Sequence, residues 1–185
     1  MISAFAESQG LRLRIKVAFT LEELLQMLES GEGHIAAAGL TLTAERAGLF
    51  ISSRPYITQK PLVVYKSGRR KPREASDLAG LDIVTLAGSS HIEVLSSLAE
   101  QEPGISWREI RAADTLELMQ LVSEERADVA TIDSIEFRMQ QQLYPRVVSA
   151  MELEADTGIV WYLSALPGAE AYVDRVNTFF DEVVT

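Results

Sequence analysis

The sequence has no cysteine and only two histidines, His34 and His91. The first absence removes disulfides, iron–sulfur clusters, thiol nucleophiles and zinc knuckles together. The second leaves no histidine cluster at metal-ligand spacing. Long apolar runs are missing too: charge breaks every hydrophobic stretch within about ten positions, where a membrane-crossing helix needs roughly 18. Positive charge is scarce, with 17 basic against 27 acidic residues and a net charge of -10, a balance that repels nucleic acid and anionic lipid unless a basic patch offsets it. One candidate patch exists, Lys66 to Arg73, but it follows an apolar run and contains Gly and Pro, so it reads as a solvated loop. Met1 to Gly10 lacks the basic start and apolar stretch of a secretory signal, so any export signal is expected to be removed or to lie upstream. No metal, cofactor or nucleic-acid partner is expected. At 47% hydrophobic and 24% charged, the 185 residues suffice for one globular domain or two small lobes.

What is present is alternation of strand and helix. Leu11, Leu13, Ile15 and Val17 alternate with polar or small residues as a half-buried strand does, and Thr20 to Glu23 reads as a capping box. Leu21, Leu24, Leu25 and Leu28 fall at helical spacing, the helix ends by Gly31, and His34 to Ala38 reads as a buried strand. Thr20 to Gly39 aligns without a gap on Asp114 to Asp133, a weak internal repeat that places Gly39 on Asp133. Between the copies come strands at Leu62–Tyr65 and Asp82–Leu86 and a helix from His91 to Gln101. After them come a helix to about Leu143, strands near Val147 and over Ile159–Leu163, and a final helix beginning at Pro167. Such alternation implies parallel pairing, and open parallel sheets take ligands beyond the C-terminal ends of their strands.

Three strand ends carry candidate chemistry. After the first, Gly39, Thr41, Thr43 and Arg46 gather a permissive backbone, hydroxyls and a guanidinium that could grip a carboxylate through paired bonds. Alternatively, Thr43 caps a short helix and Arg46 lies on its solvated face. After the second, Ser89 and Ser90 stand where strand meets helix and unpaired amides attract an anion, although Ser90 and Glu93 also have capping-box spacing. After the third, Asp133 could hold an ammonium or cap the next helix. No G-x-S-x-G elbow surrounds Ser89 or Ser90, which argues against a nucleophile. Trp107 and Trp161 are read as core aromatics before ligand-stacking ones.

At these residues the sequence resembles the bacterial extracellular solute-binding proteins of family 3, the polar amino-acid type. Their G-[MI]-T-I-T-x-E-R stretch and following S-x-P-Y are matched by Gly39 to Arg46 and Ser53 to Tyr56. One branch is similar over most of the chain, the ligand-binding regulatory domain of membrane-bound lytic murein transglycosylases of the F type. It shares Ala36–Thr41, the Leu62–Tyr65 strand, Ala87–His91 with Glu93, and the Ser106–Trp107 pair. The resemblance implies an α/β, two-lobed periplasmic-binding-protein-like fold of type II, each lobe a mainly parallel sheet flanked by helices. Lobe 1 would comprise 1–58 plus 164–185, lobe 2 would comprise 63–157, and the hinges would lie near 58–62 and 156–160. The family's first strand should precede Met1, leaving lobe 1 N-terminally truncated. The implied ligand is a muropeptide or amino acid, its carboxylate received by Gly39, Thr41 and Arg46 and its ammonium by Asp133. Ser89 falls where the family places a threonine and is the better candidate of the pair, with Ser90 kept from its place after the strand. The chain itself would be non-catalytic and periplasmic. It would adjoin a lytic transglycosylase domain and meet the membrane only through a parent protein attached to the outer membrane. A free amino-acid receptor of a transporter is the alternative, and a dehydratase on the same fold a third.

Overall fold

The computed structural model describes residues 1–112, 114–153 and 157–183. The elements in order are α1 (Ile2–Ser8), α2 (Leu21–Glu29), β1 (Ile35–Thr41), α3 (Ala44–Leu49), β2 (Ile51–Ser52), β3 (Ile57–Gln59), β4 (Pro61–Lys66), β5 (Ile83–Leu86), α4 (His91–Gln101), β6 (Trp107–Ile110), α5 (Leu116–Ser123), β7 (Val129–Asp133), α6 (Ser134–Gln140), β8 (Val147–Glu152), β9 (Thr157–Leu163) and α7 (Ala169–Val183). They form two compact units, Met1–Thr58 with Gly158–Thr185, and Gln59–Thr157. The expected second hinge at 156–160 begins at Asp156, outside the described residues.

In the first unit, every sheet pairing involves β9: β1 and β2 run antiparallel to it and β3 also pairs with it. Residues Ile159 to Leu163 are all buried, so the period-2 alternation of this strand feeds two cores. Val160 and Tyr162 pack with Leu28, Ala36, Leu40 and Phe50 on one face. On the other, Trp161 packs with Phe5, Val176, Phe179 and Phe180, meeting Phe180 edge-on at 4.9 Å between ring centres. Trp161 is therefore core. The Ser53 to Tyr56 motif serves β9 as well. The Trp161 amide donates to Ser53 Oγ at 2.9 Å, and Tyr56 packs on Phe180.

The second unit holds a five-stranded sheet in the order β6-β5-β7-β4-β8. β5 is parallel to β6 and β7, whereas β4 is antiparallel to β7 and β8. Its two faces separate by alternation along β4. Leu62 and Val64 join Leu118, Val122, Ile132 and Phe137 beneath α5 and α6, while Val63 joins Leu78, Ile83, Leu95 and Ile105 beneath α4.

Four expectations require correction. Neither sheet is mainly parallel among the described pairings, because the strands that follow the unit crossings, β4 and β9, run back along their neighbours instead of continuing a β-α-β series. The run from Leu11 to Val17 forms no strand. It has no ladder partner among the described residues, and Ile15 and Val17 are 66% and 78% exposed. β1 is an edge strand with Ala37 to Gly39 exposed, not a buried one. The final helix begins at Ala169, two residues after Pro167.

Thr20 does cap α2, its hydroxyl accepting from the Glu23 amide at 3.1 Å, while the Glu23 carboxylate accepts at 2.6 Å from the amide of Phe19, one residue before the cap amide that a capping box would engage. Gly158 permits the close approach of β9 to the Pro55 ring: a Cβ there would stand 2.8 Å from both Pro55 Cβ and Cγ. Gly158→Ala is expected to destabilise the protein by about 1–3 kcal/mol through overpacking. Urea unfolding measures this, and an unchanged midpoint would contradict the packing described.

Candidate functional site

The first unit's candidates lie around the end of β1. Gly39 has φ +68°, with no atom within 4 Å of a would-be Cβ, at a register shift between Ala36 and Leu40. Glycine is the residue that adopts this left-handed conformation without strain. Thr41 ends the strand and is buried. Its carbonyl accepts from Arg46 Nη1 and from the Tyr162 hydroxyl, each at 3.1 Å, and the Thr43 amide donates to that same Tyr162 oxygen. Thr43 Oγ1 caps α3 by accepting from the Arg46 amide at 3.2 Å. Half of the alternative reading of this stretch thus holds and half fails: Thr43 is a cap, but Arg46 is only 6% exposed. A guanidinium anchored to a carbonyl at a strand end is held in one orientation, which is what recognition of a planar carboxylate requires.

The second unit's candidates lie at the C-terminal ends of the parallel strands β5 and β7. Asp133 precedes α6 but makes no side-chain cap bond to it, and Ser90 likewise makes none to α4. Helix capping therefore accounts for neither residue. Asp133 Oδ1 lies 3.1 Å from His91 Nε2, and His91 Nδ1 lies 3.1 Å from Thr131 Oγ1. Thr131 donates to Thr85 Oγ1 at 2.7 Å, and Thr85 Oγ1 is 3.2 Å from Ser89 Oγ. Two residues singled out from the sequence, Ser89 and Asp133, are thus the ends of one hydrogen-bonded row through His91. The row went unread because its interior members lie on separate elements. Its signal is a threonine inside each of two apolar strands, Ile83–Leu86 and Val129–Asp133, since buried hydroxyls take partners.

A hydroxyl, an imidazole and a carboxylate in series have the connectivity of a nucleophile relay, but the hydroxyl, Thr131, is 0% exposed. It cannot meet a substrate. Among the described residues no group of three or more His, Cys, Asp or Glu side chains is placed to hold a metal ion. The basic turn is occupied locally: Lys66 and Arg69 both pair with Glu125, and Arg70 pairs with Asp77. A groove of about 680 Å³ in the second unit, lined by Arg73, Glu93, Leu98, Met151 and Glu152 among others, contains none of the predicted site residues. No helix among the described residues is long and apolar enough to cross a membrane.

The model of the bacterial extracellular solute-binding proteins, family 3, matches residues 1–184. The chain belongs to that family. Among curated relatives, the membrane-bound lytic murein transglycosylase F of Pseudomonas fluorescens is 33% identical over 184 residues, covering 99% of this chain and 38% of the relative. That of Photobacterium profundum is 35% identical over 182 residues, covering 97% of the chain and 35% of the relative. The chain thus spans little more than a third of these relatives. Among solved structures, an ancestral arginine-binding protein bound to arginine matches with a TM-score of 0.86 at 20% identity, over 98% of this chain and 78% of that one. A truncated, arginine-bound ArgBP from T. maritima matches at 0.85 and 18% identity, over 98% and 82%. These likenesses show the mixed α/β fold of this family-3 domain.

Glu136, in the first turn of α6, belongs to the same neighbourhood and accepts from Thr115 Oγ1 at 2.9 Å. Its side chain is exposed overall, yet the protein packed around its carboxyl raises the pKa above 4.5; the Thr115 bond lowers it and the Asp133 charge raises it further. A carboxyl whose folded pKa is raised costs stability as pH climbs from its unfolded value through its folded one. Glu136→Gln is therefore expected to raise Tm at pH 7, modestly because solvent screens the exposed part, and to leave it unchanged below about pH 4. Thermal melts at the two pH values test this, and an equal shift at both would contradict it.

Proposed function

We propose that this family-3 domain is a non-catalytic, periplasmic sensor within a membrane-bound lytic murein transglycosylase attached to the outer membrane. It binds an amino acid or the peptide of a muropeptide, and closure of its two units on the ligand regulates the adjoining lytic domain. The observation that carries this reading is Asp133, a carboxylate at the open end of a parallel strand that is oriented by His91 and left uncommitted to its own helix. That is a receptor for an ammonium group. Arg46, anchored on the Thr41 carbonyl, is the matching receptor for a carboxylate. Together they define an α-amino-acid-like group. Closure would be a population shift, driven by a ligand that touches both units in one state only.

A second reading, a free amino-acid receptor of a transporter, draws on the arginine-bound structural relatives. The two readings share a site and differ in ligand. Calorimetry with L-arginine, L-glutamine and the tripeptide L-Ala–γ-D-Glu–meso-diaminopimelate separates them. The sensor reading expects the tripeptide to bind best, and the transport reading expects a free amino acid to do so. Removing one partner of a buried charge pair costs about 2–5 kcal/mol, so Arg46→Ala and Asp133→Asn should each weaken binding about thirty-fold or more. Unchanged affinity in both variants, or no binding of any probe, would overturn the site.

A further inference from the structure

We propose that His91 is a positioning and specificity-determining residue, which sets through Thr131 and Thr85 whether the Ser89 hydroxyl offers a ligand its proton or its lone pairs. The inference rests on the reading of Ser89 and Asp133 as ligand-facing groups. The row runs Asp133, His91, Thr131, Thr85, Ser89, with successive separations of 3.1, 3.1, 2.7 and 3.2 Å. An interior hydroxyl that donates to one neighbour can only accept from the other, and a buried one that accepts from one neighbour has the other neighbour in the row to take its proton.

The ionised Asp133 carboxylate only accepts, so His91 Nε2 donates to it. Thr131 donates to Thr85, which means that Nδ1 faces a hydroxyl oxygen whose proton is already committed and donates as well. His91 then carries both ring protons, Thr85 donates to Ser89, and the Ser89 proton is left for a ligand acceptor such as a carboxylate. Loss of the Nδ1 proton reverses the row. Thr131 then donates to Nδ1, Thr85 to Thr131 and Ser89 to Thr85, and Ser89 presents lone pairs that repel a carboxylate and accept from a donor such as an amide. His91 is 4% exposed, and Thr85 and Thr131 are fully buried, so water does not break the row from within. Asp133 at the end of β7 contacts the ring directly, and Glu136 in α6 interacts electrostatically with both His91 and Asp133.

The first arm of the test needs no ligand. Nitrogen-15 spectra of the two histidines, recorded across pH, should show His91 losing its Nδ1 proton and keeping Nε2–H, with the Ser89 Cβ resonance following the same transition. Thr85→Val should abolish that tracking while His91 still titrates. An Nδ1–H tautomer, or a Ser89 signal indifferent to His91 in the unaltered protein, overturns the proposal, whatever Thr85→Val does to folding. In the second arm, the ratio of affinities for L-arginine and L-argininamide is measured from pH 5 to 8. The ratio should fall several-fold more with rising pH in the unaltered protein than in Thr85→Val. Ammonium–imidazolium repulsion is common to both ligands, and the ligands' own titration is common to both proteins, so neither enters the comparison. An equal pH dependence in the two proteins overturns the proposal. A positive first arm with no binding of either ligand leaves the row standing and overturns the ligand reading of the site.

Discussion

Two threonines on adjacent buried strands need hydrogen-bond partners, and that need organises the C-terminal ends of β5 and β7 in the second unit. A hydroxyl left unpaired inside a sheet costs about 1–3 kcal/mol. Thr85 and Thr131 meet the demand between themselves at 2.7 Å, and the lone pairs and protons left over reach Ser89 on one side and His91 on the other. His91 in turn fixes Asp133. The carboxylate at the end of β7 is thus held by the interior of the sheet, and the helix it precedes contributes no cap bond. Rigid support of this kind is what the proposed receptor for an ammonium group requires.

The first unit answers the same problem with different groups. Its sheet is gathered on β9, whose two buried faces bring α1, α2 and α7 together, and Tyr162 of that strand reaches from the core to the Thr41 carbonyl and the Thr43 amide. Arg46 donates to the same carbonyl. The backbone at the end of β1 is therefore fixed by a strand more than a hundred residues away, and the guanidinium by that backbone. Each unit ends in one charged group oriented by a buried polar contact, a cation in the first and an anion in the second.

Much of this was legible in the sequence, and what was not has identifiable causes. The helix His91–Gln101, the helix cap at Thr20 and the strand Ile83–Leu86 follow from local periodicity and cap chemistry, which neighbouring residues determine. Gly39, Arg46 and Asp133 were recognisable because they sit just past or at apolar strands. The antiparallel return of β4 and β9 was not, because strand direction is decided by which segment is available as a neighbour, a fact about distant sequence. The alternation from Leu11 to Val17 misled for the same reason: a pattern specifies a face, but a ladder needs a partner. His91 stayed hidden because its partners lie 40 and 42 residues away, on the far side of a helix and a strand.

The central proposal is that Asp133, steadied by His91, receives the ammonium group of a small ligand. A crystal structure of the chain grown with the probe that binds most tightly in calorimetry tests it directly. The account predicts the ligand ammonium against the Asp133 carboxylate, whose Oδ1 remains on His91 Nε2. A ligand lodged instead in the groove beside α4 and β8, or one not touching Asp133, would contradict it.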